Sequence, residues 1–98
     1  MPDVRQSDVF SRWLRGLADS RAKARIAARI DRLAQGNLGD VAAVGDGVSE
    51  LRIHYGPGYR VYFVARGKAV MILLCGGDKS SQARDIKTAK QLARDLEE

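Results

Sequence analysis

Four side chains suited to chemistry on a phosphate fall on one segment, ELRIHYGPGYRVYF at 50–63. They are Arg52, His54, Arg60 and Tyr62. Guanidinium groups present planar pairs of donors to phosphate oxygens, an imidazole transfers protons near neutral pH, and a phenol ring stacks on a base. This set indicates chemistry on a phosphodiester. The alternative is a solvated strand face on which a neighbouring carboxylate pairs with an arginine.

The alternation around these residues predicts a β-hairpin and its register. Apolar residues stand between the polar ones, as in strands with one buried face: Leu51, Ile53, Val61 and Phe63. A three-residue tip at 56–58 would place His54 opposite Arg60. The same register would place Arg52 opposite Tyr62. Since directly opposed side chains are about 5 Å apart at Cβ, the register predicts one compact cationic patch.

A second motif, GGDKSSQ at 76–82, joins a predicted strand to a predicted helix. Asp78 or Ser80 can cap that helix, and the free N–H groups of its first turn favour an anion. Lys79 adds a positive charge at the same end, although the spacing of a Walker A loop is absent. In an antiparallel meander, the end of the third strand lies beside the start of the second strand. Lys79 follows the third strand and Arg60 lies at the start of the second, so we expect these two residues to lie close together.

The other reactive residues argue against several classes of site. One histidine and one cysteine, His54 and Cys75, do not make a zinc site without several carboxylates. Ser80 and Ser81 have no His–Asp arrangement beside them. Cys75 lies in the apolar run AVMILLC and is expected to be a small buried hydrophobe. We therefore predict no metal and no cofactor.

The periodicity of apolar residues predicts the elements that carry both motifs. Helices are predicted at 7–17, 19–35 and 80–96, and strands at 41–55, 59–66 and 69–75. The first strand has a kink or bulge at Gly45 and Gly47, and a short strand at 4–6 is weakly signalled. This order predicts an α+β fold, with two N-terminal helices packed on a small antiparallel β-meander and a C-terminal helix.

Length and charge limit the possible partners. The 98 residues make one domain, predicted to span 1–98. No secretory signal and no apolar run long enough for a bilayer are visible, so we expect a cytoplasmic protein with no membrane partner. Residues 1–35 carry eight basic and four acidic side chains. This basic segment favours a nucleic acid or an acidic protein as partner, and a solvated helix face is the alternative.

Both motifs together resemble a known family. ELRIHYGPGYRVYF and LLCGGDKSSQARDI are similar to segments of the phage-derived, HigB-like branch of the RelE/ParE toxin superfamily, whose members are called addiction-module killer proteins. The resemblance extends from FSRWLRGLAD through ARIAARIDRLAQGNLGD to the last helix. It implies the RelE-like fold of two helices against a small antiparallel sheet. It also implies a type II toxin, neutralised by a cognate antitoxin that is expected to carry a helix-turn-helix domain.

The resemblance also implies an activity. Many members of the superfamily cut mRNA on the ribosome, so we expect an endoribonuclease (an mRNA interferase) whose partners are mRNA and the ribosome. Arg60 and Arg52 would bind phosphate. The assignment of Arg60 is the better supported of the two by the resemblance, because Arg60 occupies the strand position where the superfamily tends to place a catalytic arginine. Lys79 would also bind phosphate, and either Lys79 or His54 would transfer the proton.

Three further residues complete the expected site. Tyr62 would stack on a base or donate a hydrogen bond. Gln82 would bind the phosphate, and together with Glu50 it would orient neighbouring side chains. In the antitoxin complex, an acidic segment would complement the arginine-rich second helix, where Arg25 and Arg29 are the expected contacts.

The C-terminus departs from the pattern of the superfamily. Several RNA-cleaving relatives carry a catalytic aromatic or histidine residue there, whereas this chain ends in QLARDLEE. One alternative is therefore a non-catalytic toxin of the ParE type that inhibits DNA gyrase. Another is a regulatory partner whose basic helices only dock the antitoxin.

Overall fold

The computed structural model describes residues 3–96 and has the predicted α+β architecture. Its elements are β1 (Asp3–Gln6), α1 (Asp8–Gly16), α2 (Ser20–Ala34), β2 (Val41–Gly45), β3 (Val48–Ile53), β4 (Tyr59–Arg66), β5 (Val70–Gly77), a 3-10 turn (Lys79–Ser81) and α3 (Gln82–Asp95). The five strands form a sheet in the order β1-β5-β4-β3-β2. The meander from β2 to β5 is antiparallel, whereas β1 runs parallel to β5.

The segment 41–55, predicted as one kinked strand, is two strands. A tight turn at Gly45, Asp46 and Gly47 joins β2 to β3, with φ angles of 102°, 56° and 79°. Glycine adopts positive φ without strain and aspartate tolerates it, so the glycines that suggested a kink make a hairpin instead. The weakly signalled strand at 4–6 is present as β1.

Side-chain caps fix where the first two helices begin. Ser7 accepts a hydrogen bond from the Phe10 N–H at 3.0 Å, and Asp19 accepts from the N–H groups of Arg21 and Ala22. Both helices cover one face of the sheet, around a core of Phe10, Ile26, Leu33, Leu51, Ile53, Val61, Phe63 and Leu73. Within residues 3–96, no helix is long and apolar enough to cross a membrane.

The third helix covers the other face of the sheet. Its Ala89 and Ala93 pack on Val48, Tyr62, Val64, Leu74 and Cys75. The apolar run of β5 therefore contributes to the cores on both faces, as its lack of alternation predicted.

The β3–β4 hairpin has the predicted alternation but a different register. Arg52 lies opposite Arg60, and Glu50 lies opposite Tyr62. The predicted pairs, Arg52 with Tyr62 and His54 with Arg60, are therefore wrong by two residues. Because the shift is even, the same side chains still point to each face of the sheet.

A longer tip explains the shift. β3 ends at Ile53 and β4 begins at Tyr59, which leaves the connection His54–Gly58, here called the hairpin tip. Two hydrogen bonds close it, from Tyr55 N to Ile53 O at 2.9 Å and from Gly58 N to Tyr55 O at 3.1 Å. His54 therefore lies outside the ladder and has no partner across it.

The polar face of the hairpin is partly covered. Since α3 packs across this half of the sheet, Tyr62 is fully buried and Glu50 is 1% exposed. Of the four residues of the predicted patch, Tyr62 is therefore not accessible to solvent. A buried carboxylate is costly unless donors and cations surround it, and the contacts of Glu50 organise the site.

Candidate functional site

Glu50 is the centre of a polar cluster where α3 meets the hairpin. Its Oε1 accepts a hydrogen bond from Gln82 Nε2 at 2.6 Å and from the Tyr62 hydroxyl at 3.3 Å. Its Oε2 accepts from Arg52 Nε at 3.1 Å, and Arg60 Nε lies 3.5 Å from Oε1. Three hydrogen-bond donors and the charge of Arg60 together offset the loss of hydration of this carboxylate.

The two arginines are anchored to different degrees. The Arg60 side chain is 11% exposed, and its Nη1 donates to Gly58 O at 3.1 Å and to Tyr59 O at 3.4 Å. Among the described residues its buried Nε has no hydrogen-bond partner, because its contact with Glu50 is an ion pair without hydrogen-bond geometry. Arg52 is 38% exposed. Directly opposed cations repel one another, and the shared carboxylate offsets that repulsion.

Tyr62 and Gln82 support the carboxylate. Burial, followed by the charge of Glu50, raises the pKa of Tyr62, so its hydroxyl remains a neutral donor. Since the ring is fully buried, it is not available to stack on a base, which was one of the roles expected for it. Gln82 directs its amide N–H to Glu50 at 2.6 Å, which is the orienting role expected of it.

An open depression of about 500 Å³ lies beside Arg60 and is here called the tip depression. Its lining consists of His54, Tyr55, Gly56, Pro57, Gly58, Arg60 and Lys79. The Lys79 N–H donates to Pro57 O at 3.4 Å, which ties the loop after β5 to the hairpin tip. The structure thus brings Lys79 and Arg60 to one surface, as the meander predicted. Over residues 3–96, no carboxylate belongs to this lining, and Arg60 and Lys79 are its cationic members.

His54 lines the tip depression and pairs with Asp40. Its Nε2 lies 2.5 Å from Asp40 Oδ2, and its side chain is 73% exposed. This hydrogen bond lowers the pKa of Asp40, and the charge of Arg52 acts in the same direction. Arg52 Nη1 also lies 3.8 Å from Asp40 Oδ1. The histidine is therefore connected through Asp40 to the arginine that Glu50 holds.

Sequence reasoning missed Asp40. It lies just before β2 and reaches the hairpin because β2 pairs with β3, where Val41 lies opposite Leu51. The Arg52 N–H extends this pairing by donating to Asp40 O at 3.0 Å. The segment 41–55 was predicted as one strand. Asp40 comes close to the hairpin only because this segment is two paired strands, so the contact could not be predicted without that division.

A second cleft, of about 240 Å³, lies between α2 and the hairpin and is here called the α2 cleft. Its lining consists of Arg25, Ala28, Arg29, Arg32, Ile53 and His54. Arg29 donates to Arg52 O at 2.5 Å and to Leu38 O at 3.2 Å. The guanidinium of Arg25 lies 4.8 Å from the centre of the Tyr55 ring. Of the two expected antitoxin contacts, Arg25 is thus exposed, and Arg29 is held by the backbone of its own chain.

The end of β5 is packed closely around a buried thiol. Cys75 Sγ lies 3.6 Å from Asp85 O. Burial, helped by the charge of Asp85, raises the pKa of Cys75 to about 12, so the thiol stays protonated at neutral pH. A side chain at Gly77 would overlap the Asp85 carboxylate. Within residues 3–96, no three His, Cys, Asp or Glu side chains group as metal ligands.

The geometry defines a small α+β protein with an anchored pair of arginines beside an open depression. The model of the phage-derived Gp49-like protein family (DUF891) matches residues 12–96, and the chain belongs to this family. An uncharacterized protein of Haemophilus influenzae is 53% identical over 93 residues, which cover 95% of this chain and 94% of that protein. The family match includes both the hairpin and the loop that carries Lys79.

Proposed function

We propose that the chain is the toxin of a type II toxin–antitoxin system and acts as an endoribonuclease on ribosome-bound mRNA. One observation carries the proposal: Arg52 and Arg60 share a buried carboxylate, and Arg60 and Lys79 line an open depression. Membership of the Gp49-like family, which is linked to RelE-like toxins, supports it. The proposed partners are mRNA, the ribosome and a cognate helix-turn-helix antitoxin, all in the cytoplasm.

The proposed reaction transfers the phosphodiester to the adjacent ribose hydroxyl. The 2′-OH attacks phosphorus, the P–O5′ bond breaks, and the products carry a 2′,3′-cyclic phosphate and a free 5′-hydroxyl. Arg60 would donate to the phosphate oxygens as negative charge develops on them, and Arg52 would add positive charge on the same side. Because contacts to Glu50 fix both arginines beforehand, little side-chain freedom is lost when substrate binds.

The residues for proton transfer also lie at the tip depression. His54 and Lys79 both line it, so either can exchange a proton with a bound phosphodiester. Gln82 instead contacts Glu50, so in this mechanism it orients the arginines and does not bind phosphate. The ribosome would supply much of the positioning of the mRNA.

The α2 cleft is the proposed docking site for the antitoxin. Arg25, Arg29 and Arg32 line it, and no carboxylate from the part of the chain that the structure describes belongs to its lining. An acidic segment that folds on binding would complement this surface. Since His54 lines both the α2 cleft and the tip depression, a bound segment would also lie close to the proposed active site.

Growth arrest on expression without antitoxin tests the proposed activity. Arg60→Ala should relieve the arrest. Arg60→Lys keeps a positive charge beside Glu50 but lacks the planar fork that binds two phosphate oxygens, so it should weaken the arrest while preserving the fold. Arg12→Lys, on the exposed surface of α1, is the matched control and should arrest growth fully. Undiminished arrest by a folded Arg60→Ala chain would contradict the proposal.

A second candidate function is non-catalytic inhibition of DNA gyrase. One observation favours it: α3, Gln82–Asp95, contains neither a histidine nor an aromatic residue. Relaxed plasmid DNA with intact messages after induction would support this candidate, whereas cut messages with normal supercoiling would exclude it. Harmless expression of the folded chain would contradict both candidates and favour a regulatory partner.

A further inference from the structure

We propose that Asp40 and His54 form the proton-transferring pair of the site, with His54 as the catalytic base and Asp40 as the residue that positions it. This inference rests on the proposed endoribonuclease function. The geometry that carries it is the 2.5 Å contact between Asp40 Oδ2 and Nε2 of His54, a residue that lines the tip depression. Arg60 and Lys79 line the same depression.

Asp40 is held in place from two sides. Its backbone carbonyl accepts the Arg52 N–H at 3.0 Å, and its Oδ1 lies 3.8 Å from Arg52 Nη1. The preceding Gly39 lies against the guanidinium of Arg29, where a side chain on the glycine would clash. The residue that contacts His54 is therefore tied to β3 through Arg52, although the imidazole itself is 73% exposed.

The contact fixes which imidazole nitrogen can accept a proton. The pKa of Asp40 is lowered, first by the hydrogen bond from His54, so its carboxylate is ionised at neutral pH and can only accept hydrogen bonds. Nε2 must then carry the proton, which leaves the lone pair of the neutral ring on Nδ1. A carboxylate that holds one ring nitrogen while the other acts as the base is an established way to orient histidine.

The step balances with the groups that line the tip depression. His54 Nδ1 removes the proton of the 2′-OH as the O2′–P bond forms. The P–O5′ bond breaks, and O5′ takes a proton from the Lys79 ammonium group. Asp40 stabilises the imidazolium that results. Proton exchange with water then restores neutral His54 and charged Lys79.

A double-mutant cycle tests whether Asp40 acts through His54. The rate of single-turnover cleavage of mRNA on purified ribosomes is measured for His54→Ala, Asp40→Asn and the double variant. We expect His54→Ala to lose about 100-fold or more, the usual contribution of a general base. Asp40→Asn should lose less, and the double variant should be no slower than His54→Ala alone. Additive losses would overturn the positioning role.

Asp46 offers a matched control for Asp40. It is an exposed carboxylate with an arginine partner, Arg94, 3.9 Å away, and it lies in the β2–β3 turn. Asp46→Asn should cleave at the unaltered rate. Asp40→Asn nearly preserves the shape of the side chain, and urea unfolding of each variant shows whether the fold is retained.

The tautomer of the histidine provides a readout independent of activity. Because the chain contains one histidine, its ring ¹⁵N signals need no assignment by mutation. In the unaltered protein the neutral ring should carry its proton on Nε2 alone. Asp40→Ala should shift the ring towards the tautomer mixture of free histidine. That mixture in the unaltered protein would overturn the positioning role.

The remaining outcomes separate this inference from the proposed function. If the unaltered chain cuts mRNA and His54→Ala cuts equally well, His54 is not the base. The inference then fails, while the endoribonuclease stands with Lys79 as the candidate for proton transfer. If the unaltered chain cuts nothing, both fail.

Discussion

Arginines lie in two regions of this molecule, and they are held in different ways. In the hairpin, Arg52 and Arg60 share the buried carboxylate of Glu50. On α2, Arg25 and Arg32 are exposed and line a cleft to which none of the described carboxylates, within 3–96, contributes. The hairpin pair is anchored by a specific ion-pair network, whereas the α2 arginines are displayed on a helix surface.

The charges of the hairpin arginines therefore have fixed positions, whereas those of the exposed α2 arginines do not. An anchored guanidinium meets a phosphate in a defined geometry and loses little rotamer freedom on binding. Exposed arginines on a helix act mainly through their combined field, which attracts acidic partners and weakens as salt is added. We infer that the hairpin is built for chemistry and that α2 is built for docking.

Removal of the anchor should have the largest effect. Glu50→Gln keeps the shape of the side chain but removes the negative charge that Arg52 and Arg60 share, and only Arg52 retains a second carboxylate, that of Asp40. We expect the free energy of unfolding to fall by about 3 kcal/mol, as when one partner is removed from a buried ion pair. Urea unfolding measures this change. Asp46→Asn breaks an exposed pair with Arg94 and should cost less than about 1 kcal/mol. Equal effects would show that Glu50 does not anchor the pair.

Within α2, Arg29 should matter more for stability than Arg25. Arg29→Ala removes the donor from two backbone carbonyls and should cost about 1–3 kcal/mol. Arg25→Ala removes a contact with the Tyr55 ring and should cost about 0.5–1 kcal/mol. Thermal or urea unfolding of both variants tests this ranking, and the reverse order would contradict the assignment of Arg25 to docking.

The Tyr62 hydroxyl should contribute a smaller part of the anchor. Tyr62→Phe removes its hydrogen bond to Glu50 and should cost about 1 kcal/mol at pH 7. In the unfolded chain tyrosine ionises near its ordinary value of 10.0, while burial raises the pKa of Tyr62 in the fold. The unfolded state therefore binds fewer protons above pH 10, and the stability of the unaltered chain falls there.

Unfolding measured at pH 7 and above pH 10 tests this sign. The difference in stability between the unaltered chain and Tyr62→Phe should narrow as the pH rises, because the variant lacks this ionisation. A difference that stays constant would show that Tyr62 is not kept neutral by its surroundings.

The smallest effect on folding should come from the exposed arginines of α2. Charge reversal of both Arg25 and Arg32 to Glu should reduce stability by about 1 kcal/mol at most, since both side chains are exposed. Binding of the proposed antitoxin should weaken, and its salt dependence should decrease. Calorimetric titration at two salt concentrations measures both, and unchanged affinity would place the antitoxin elsewhere.

The sequence predicted the architecture because its signals are local. Ser7 and Asp19 cap the helices that follow them. Asp78 caps the 3-10 turn after β5, whereas the sequence predicted Asp78 or Ser80 as the cap of the last helix, which begins after Ser81 without a side-chain cap. The alternation in the hairpin also predicted which side chains share a face. These features depend on near neighbours in the chain, so a single sequence displays them.

The rest depends on turn geometry and distant packing. Burial of the apolar residues determined which side chains of the hairpin share a face. The length of the tip determined which residues pair across the two strands, so Arg52 lies opposite Arg60 and not opposite Tyr62. The burial of Glu50 required α3 to fold over the hairpin and bring Gln82 to it. The contact of Asp40 with His54 required β2 to pair with β3. The sequence did suggest that a carboxylate pairs with an arginine here, but no local pattern encodes its burial or its contact with both arginines.

Mapping of cut sites tests the central claim most directly. Primer extension on cellular mRNA is performed shortly after induction of the unaltered chain or Arg60→Ala, without antitoxin. We predict new cut sites inside translated frames for the unaltered chain, and their loss in a folded Arg60→Ala chain. Growth arrest without any cuts would contradict the account, and the hairpin arginines would then be binding contacts for a protein target.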